Sequence, residues 1–124
     1  EVSAVEHLAA QYRRLELERI ADARFDGLDG WISPTCPFVP MPVENLKHPE
    51  EAARATLSSR NTQPGNIFRL CASSLPIHQF GAALPVGLQL MCPSGDDARL
   101  LSISMALETV LGAGNAPDMD GFLM

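Results

Sequence analysis

The chain has 124 residues, of which 46% are hydrophobic, and nine basic against fifteen acidic residues give it a net charge of −6. This length suits one globular domain with a modest core, and no apolar run approaches the roughly 20 residues of a membrane span. The basic residues are few and scattered, which disfavours nucleic acid and anionic membranes as partners. The start, EVSAVEHLAA, lacks the pattern of a signal peptide, so we expect a cytoplasmic protein.

The first part of the chain predicts a helix, a short strand and a connector. Within residues 2–24, apolar side chains recur at helical spacing: Val5, Leu8, Tyr12 and Leu15. This long amphipathic helix should end near DGLDG, which favours a turn. GWIS then predicts a strand, and five prolines between Pro34 and Pro49 predict an extended connector without regular ladder bonds.

Two short helices and a strand are predicted next. EEAARATLSS, directly after Pro49, favours a helical turn or two, with acidic residues in the first turn. A further helix should begin with Asn61 or Thr62 as N-cap, accept Pro64 in its first turn and run to about Leu70. CASSLP predicts a short strand, and IHQFGAA a turn.

The segment LPVGLQLM, residues 84–91, is apolar apart from Gln89. A strand with one solvated face alternates apolar and polar residues, so this run predicts a strand with helical cover on both faces. Val86, Leu88 and Leu90 would face one way, and Gly87, Gln89 and Met91 the other. A buried Gln89 must find hydrogen-bond partners, so we interpret it as a structural polar contact.

The last predicted helix begins near Ser94 or Asp96 and ends at Gly112. Its apolar stripe consists of Leu100, Ile103, Leu107, Val110 and Leu111. Residues 113–124 should form a flexible tail. Because three strands make a narrow sheet, residues 1–124 are interpreted as a single partial domain of a larger α/β enzyme, or as a chain that completes its sheet by self-association.

No metal site or disulfide framework is indicated by the cysteines and histidines. They are few, widely spaced and outside the known metal motifs: Cys36, Cys71, Cys92, His7, His48 and His78. Ser73 and Ser74 are adjacent but lack the flanking glycines that let donors approach an oxyanion, so we interpret them as strand hydroxyls bonded locally.

Four motifs in the same order resemble the C-terminal region of the amidase signature family: DGWISPTCP from Asp29, TQPGN from Thr62, LCASSLP from Leu70 and LPVGLQLMCPSGDDARLL from Leu84. The resemblance covers about residues 7 to 111. It implies the C-terminal portion of an α/β/α fold, with a few-stranded mixed sheet flanked by helices. Members hydrolyse or transfer amides with a serine, a second serine in a cis peptide and a lysine, and need no metal or organic cofactor.

The resemblance also implies what this chain lacks. The family's Gly/Ser-rich signature, with both catalytic serines, and its lysine have no match here, and the only lysine is Lys47 in the proline-rich segment. We therefore assign no catalytic residue to the chain. Its implied partner is the N-terminal catalytic part of the same enzyme, which would act on a small amide substrate.

In the resembled family the Pro-Thr-x-Pro turn lies beside the substrate pocket, which implies that role for Thr35, Cys36 and Pro37. Ligands also bind at strand ends in open α/β sheets. The alternative is that the prolines only make a turn rigid. Asp29 and Asn66 are interpreted as structural.

One departure concerns a turn: where the family commonly has Gly-x-Pro-Ala, this chain has Arg69, Leu70, Cys71 and Ala72. An arginine in place of a small glycine puts the local geometry of that turn in question.

Two functions remain open. The first is the C-terminal segment of an amide hydrolase, which completes the sheet and the substrate pocket without being catalytic by itself. The second is a stand-alone, non-catalytic module that forms a homo-oligomer through its sheet edge or apolar helix faces.

Overall fold

The computed structural model describes residues 2–77, 84 and 86–112. Its centre is strand β3 (Val86–Cys92), flanked by β1 (Trp31–Pro34) and β2 (Cys71–Ile77) in the order β1-β3-β2. The α/β class is confirmed. Both strand pairings are antiparallel, so the mixed strand direction predicted for the sheet is not found among the described strands. The connection from β2 to β3 is short, whereas parallel neighbours require a long crossover.

The helices follow the predicted order with small changes of length. Both long helices are confirmed, and Ser3 begins the first with a capping box in which Glu6 is the partner. The proline-rich segment, predicted to be extended, instead contains a short 3-10 helix. The helical elements are α1 (Ala4–Ala23), the 3-10 helix Val43–Lys47, α2 (Pro49–Ala55), the 3-10 helix Thr56–Ser59, α3 (Gln63–Ile67) and α4 (Asp97–Leu111).

Helix α3 is shorter than predicted, and Arg69 explains why. Arg69 has a φ of 57°, in the left-handed region, so the helix ends at Ile67 and does not reach Leu70. Thr62 occupies the N-cap position, but its hydroxyl donates to the carbonyl oxygen of Ser59 at 2.9 Å and does not cap the helix. The chain reverses at Arg69 and directs Leu70 into the core.

The end of β3 near Cys92 is covered on both faces by this chain. On one face, Leu90 and Cys92 pack with Leu100 of α4. On the other, Met91 packs with Phe25 and Leu70, and the Phe25 ring stacks on that of Trp31 with centroids 4.5 Å apart. Cover on both faces was predicted, but the second face is closed by the turns after α1 and α3, and not by a second long helix.

Apolar surface remains open elsewhere, chiefly on α1. Val5 is 77% exposed and Tyr12 72%, and Ala21 is the only buried residue among those described on this helix. The last turn of α4 is also open, since Val110 is exposed although it was predicted to join the buried stripe. The need for further cover is therefore indicated by α1 and α4 and not by the interior of β3.

The predicted turn at residues 77–83 begins too early, because Ile77 belongs to β2. The rest of that turn and the tail at residues 113–124 lie outside the described residues. Within the part of the chain that is described, no helix is both long enough and apolar enough to pass through a bilayer.

Candidate functional site

An open cleft lies at the end of the sheet where β1 stops and β3 begins. Thr35, Cys36 and Pro37, the three predicted pocket residues, follow β1 directly and all line it. Its volume is about 520 Å³, within the range of small-molecule sites. The other described residues that line it are Phe38, Val39, Pro40, Ser58, Ser74, Val86 and Gly87.

Two hydroxyl groups meet in this cleft across the central strand. Thr35 Oγ1 and Ser74 Oγ are 2.5 Å apart, and either oxygen can be the donor. The Thr35 N–H also donates to the Gly87 carbonyl oxygen at 2.8 Å, which fixes the residue after β1 against β3. The polar part of the cleft is thus built by residues from both sides of β3.

Gly87 makes this meeting possible because it has no side chain. A Cβ atom at this position would lie 2.6 Å from Thr35 Oγ1 and 2.8 Å from Ser74 Oγ. Both distances are shorter than a van der Waals contact allows, so any larger residue would push the two hydroxyl groups apart. Glycine is the residue that permits such close approach of neighbouring groups.

Asn61 fixes the point at which β1 enters the cleft. Its Nδ2 group donates to the carbonyl oxygen of Pro34 at 2.8 Å, across 27 residues of sequence. The sequence offered Asn61 as a possible helix cap, but the structure uses its side chain to hold the strand end. A long-range contact of this kind leaves no local sequence signal.

None of the described residues that line the cleft is charged. Residues 78–83 and 85, which lie between β2 and β3 in the sequence, include no Asp, Glu, Lys or Arg, but they include His78. One cation lies nearby: the Arg54 guanidinium is 4.9 Å from the centre of the Phe38 ring and 3.8 Å from the Glu51 carboxylate. Arg54 is therefore directed to the ring and the carboxylate.

The residues predicted to be structural lie outside the cleft. The Asp29 carboxylate is exposed, 3.7 Å from the Arg99 guanidinium, while its backbone oxygen accepts from Cys92 Sγ at 3.4 Å. Asn66 is exposed on α3. Gln89 is only 4% exposed, and its Oε1 has no hydrogen-bond partner among the described residues, so the expected polar contact is not found there.

The two adjacent serines have different partners on opposite faces of β2. Ser73 Oγ lies 2.8 Å from Ser104 Oγ of α4, whereas Ser74 faces the cleft. The interpretation as locally bonded hydroxyls is wrong, because the partners are 31 and 39 residues away in sequence. Strand alternation does separate neighbouring residues onto two faces, but only the pairing of strands shows which face carries the cleft.

The three cysteines differ in accessibility. Cys36 is exposed in the cleft, Cys71 is half-buried and Cys92 is buried. Burial raises the pKa of the Cys92 thiol, and burial together with the nearby Asp97 carboxylate raises the pKa of the Cys71 thiol. Because the thiolate is the reactive form, Cys71 and Cys92 are poor nucleophiles. Across residues 2–77, 84 and 86–112, no three His, Cys, Asp or Glu side chains are grouped to hold a metal ion.

Comparison with known proteins gives consistent matches. The family model described as Amidase matches residues 2–101. The chain is 36% identical to a 2-amino-5-chloromuconic acid deaminase of Comamonas testosteroni, over 94% of this chain and 25% of that protein. It is 34% identical to a glutamyl-tRNA(Gln) amidotransferase subunit of Salinispora tropica, over 87% of this chain and 21% of that protein.

A solved structure resembles the described fold. The corresponding glutamyl-tRNA(Gln) amidotransferase subunit of Thermotoga maritima matches with a TM-score of 0.71 and 25% sequence identity, over 85% of this chain and 22% of that one. The chain therefore spans only about a fifth to a quarter of the length of the proteins it resembles.

Proposed function

The chain belongs to the amidase family, and from that premise we propose that it is the C-terminal part of an amide hydrolase. In this proposal it completes the sheet and forms one wall of the substrate pocket, while nucleophile and base come from polypeptide outside these 124 residues. The observation that carries the proposal is the cleft, because Thr35, Cys36 and Pro37 line it together with the Thr35–Ser74 hydroxyl pair.

In the whole enzyme, a serine would attack the carbonyl carbon of the amide and backbone amides would hold the oxyanion. The base that took the serine proton would pass it to the amide nitrogen, which would leave as ammonia or an amine, and water would then hydrolyse the acyl-enzyme. The names of the two relatives, a deaminase and an amidotransferase subunit, support a reaction at a carbon–nitrogen bond. No step requires a metal or an organic cofactor.

This chain would bind and orient the substrate. When one hydroxyl of the Thr35–Ser74 pair donates to the other, the second hydroxyl keeps its own hydrogen for a ligand acceptor. The pair can therefore hold a substrate oxygen without help from a charged group. The apolar residues around it, among them Phe38 and Val86, would exclude water from the bound amide.

Thr35→Val and Ser74→Ala in the full-length enzyme test this role. Loss of one hydrogen bond to substrate should lower kcat/KM by about three- to tenfold. Thr109→Val is the matched control, because the Thr109 hydroxyl donates within α4, to Met105 O at 3.0 Å, and lies outside the described lining of the cleft. Cleft variants that behave like Thr109→Val would contradict the proposal, as would amide hydrolysis by the 124-residue chain alone.

The second candidate, a stand-alone module that self-associates, is favoured by the open apolar side of α1. Val5, Leu8 and Tyr12 lie exposed along one helix, as expected of a surface that another polypeptide covers. Sedimentation of the isolated chain at micromolar concentration tests self-association. An assembly larger than 13.4 kDa would support it, and a uniform 13.4 kDa monomer would contradict it.

A further inference from the structure

We propose that the cleft selects an uncharged, mainly apolar group of the substrate, and that the Thr35–Ser74 hydroxyl pair is the polar contact for that group. This inference rests on the proposed function and deepens it, because it names the class of amide that the site accepts. It arises from the side chains that line the cleft and from the way Gly87 brings two of them together.

The described lining of the cleft is mostly hydrocarbon. Pro37, Phe38, Val39, Pro40 and Val86 present hydrocarbon to the cleft, and the polar groups among the described lining residues are neutral hydroxyls and one thiol. A carboxylate or ammonium group enclosed there in the full-length enzyme would lose hydration, and none of the described lining residues carries an opposite charge. Burial of an unpaired charge is strongly unfavourable.

Arg54 is a cation beside the cleft, and its contacts direct it to other groups. Arg54 lies over the Phe38 ring with its guanidinium 4.9 Å from the ring centre, and Glu51 is 3.8 Å away on the same helix. These two contacts direct the guanidinium to the ring and to the Glu51 carboxylate. Arg54 therefore supports the aromatic wall of the cleft, and none of the described residues that line the interior carries a positive charge.

The polar contact has a fixed position in the cleft. The Thr35 N–H bond to Gly87 O and the Asn61 bond to Pro34 O hold the strand end from two sides. The hydroxyl pair is therefore preorganised at one point of a hydrocarbon-lined space. A neutral acceptor such as a carbonyl or ether oxygen meets a ready donor there, with apolar groups beside it.

A pair of para-substituted benzamides tests the selection in the full-length enzyme. The probes are 4-methylbenzamide and 4-carbamoylbenzoate, which differ in the charge at the far end of the ring. We expect kcat/KM to be at least tenfold higher for the methyl compound. In Ser58→Lys, which adds a cation to the cleft, the ratio should move at least fivefold toward the carboxylate.

Ser94→Lys is the matched control. Ser94 is exposed in the turn that precedes α4, next to the opposite end of β3, so the same change of charge there should leave the ratio unaltered. A wild-type preference for the carboxylate, with Ser58→Lys still shifting the ratio, would overturn the inference and leave the proposed function intact. If Ser58→Lys, Thr35→Val and Ser74→Ala change neither the ratio nor the rates, the inference and the proposed function are both overturned.

Binding can be followed separately from the rate of hydrolysis through Cys36 of the full-length enzyme. Iodoacetamide should modify this exposed thiol before Cys71 and Cys92, which are less accessible. Saturating 4-methylbenzamide should slow the modification of Cys36 at least threefold, and 4-carbamoylbenzoate at the same concentration should not. Equal protection by both compounds, or protection by the carboxylate alone, would contradict the inference.

Discussion

The two ends of strand β3 differ in burial, because one lies in the core and the other borders the candidate site. At the end near Cys92, residues on both faces are buried, and Leu90 is only 2% exposed. At the other end, Val86 is 39% exposed, Gly87 has no side chain, and the neighbouring groups are hydroxyls that face an open cleft. One strand therefore carries both the core and the candidate site.

This difference shows how a narrow sheet can hold a rigid site. The closed end fixes the register of all three strands, because β1 and β2 both pair with β3 along most of its length. The same register then holds at the open end, which needs no apolar packing of its own. Changes at the closed end should act on stability, and changes at the open end on binding.

Leu90→Ala, a substitution at the closed end, should lower the free energy of unfolding more than the other changes. Removal of a buried leucine side chain that packs against Cys92 and Leu100 should lower the free energy of unfolding by about 2–5 kcal/mol. Val86→Ala on the same strand should cost less than about 1 kcal/mol. Urea denaturation followed by circular dichroism measures both, and equal losses would contradict the division of β3 into two ends.

Gly30 and Gly87 are both closely packed, Gly30 against the closed end of β3 and Gly87 at the open end, so their substitution compares the two ends directly. A Cβ atom at Gly30 would lie 2.9 Å from Leu90 Cδ1 and 3.0 Å from Met91 O, both in the core. Gly30→Ala should therefore cost about 1–3 kcal/mol of stability through overpacking. Gly87→Ala meets mainly rotatable hydroxyl groups and should cost only about 1 kcal/mol, the value of the hydrogen bond it breaks.

Gly65→Ala is the control for this pair, since its Cβ would find only the Ala72 Cβ at 3.9 Å. Thermal denaturation of the three variants should rank Gly30→Ala as least stable. If Gly87→Ala is the least stable, the cleft end belongs to the core and the comparison fails.

Arg69→Gly should stabilise the chain. Arg69 adopts a φ of 57°, where a side chain other than glycine costs about 1–2 kcal/mol. The greater entropy of glycine in the unfolded state offsets part of that gain, so the free energy of unfolding should rise by about 0.5–1 kcal/mol. A loss of stability in urea denaturation would show that the Arg69 side chain contributes more than its backbone costs.

The smallest effect is a dependence of stability on pH. Burial raises the pKa of Cys92 and of Cys71 in the folded chain, so folding favours the protonated thiols. Their contribution is fully present below the unfolded pKa of about 8.5 and is lost as the pH rises through the higher folded values. The free energy of unfolding should fall in that window, and less so in Cys71→Ala. An unchanged slope in this variant would contradict the assignment.

Much of the fold could be predicted because its signals are local. Helical spacing gave α1 and α4, the apolar run of residues 84–91 gave β3, and Gly112 marks the end of α4 with a φ of 81°. The resemblance of DGWISPTCP to a family motif predicts that Thr35, Cys36 and Pro37 lie at a pocket, and these residues do line the cleft.

The missing parts depend on pairing over long distances in sequence. Ser74 joins Thr35 only because β1 and β2 both flank β3, and no pattern within CASSLP shows that arrangement. The turn after α1 carries Phe25 into the core, which closed a face of β3 where a helix was expected. The shorter α3 follows from the backbone at Arg69, and residue types alone do not reveal a left-handed φ.

A crystal structure of the full-length enzyme with an unreactive analogue of a neutral amide tests the central claim most directly. The account predicts that the analogue occupies the cleft, with one of its oxygens at about 2.6–3.2 Å from the hydroxyl of Thr35 or Ser74. An analogue bound beside the catalytic groups, while Thr35, Ser74 and Gly87 are covered by other polypeptide and touch no ligand, would contradict it.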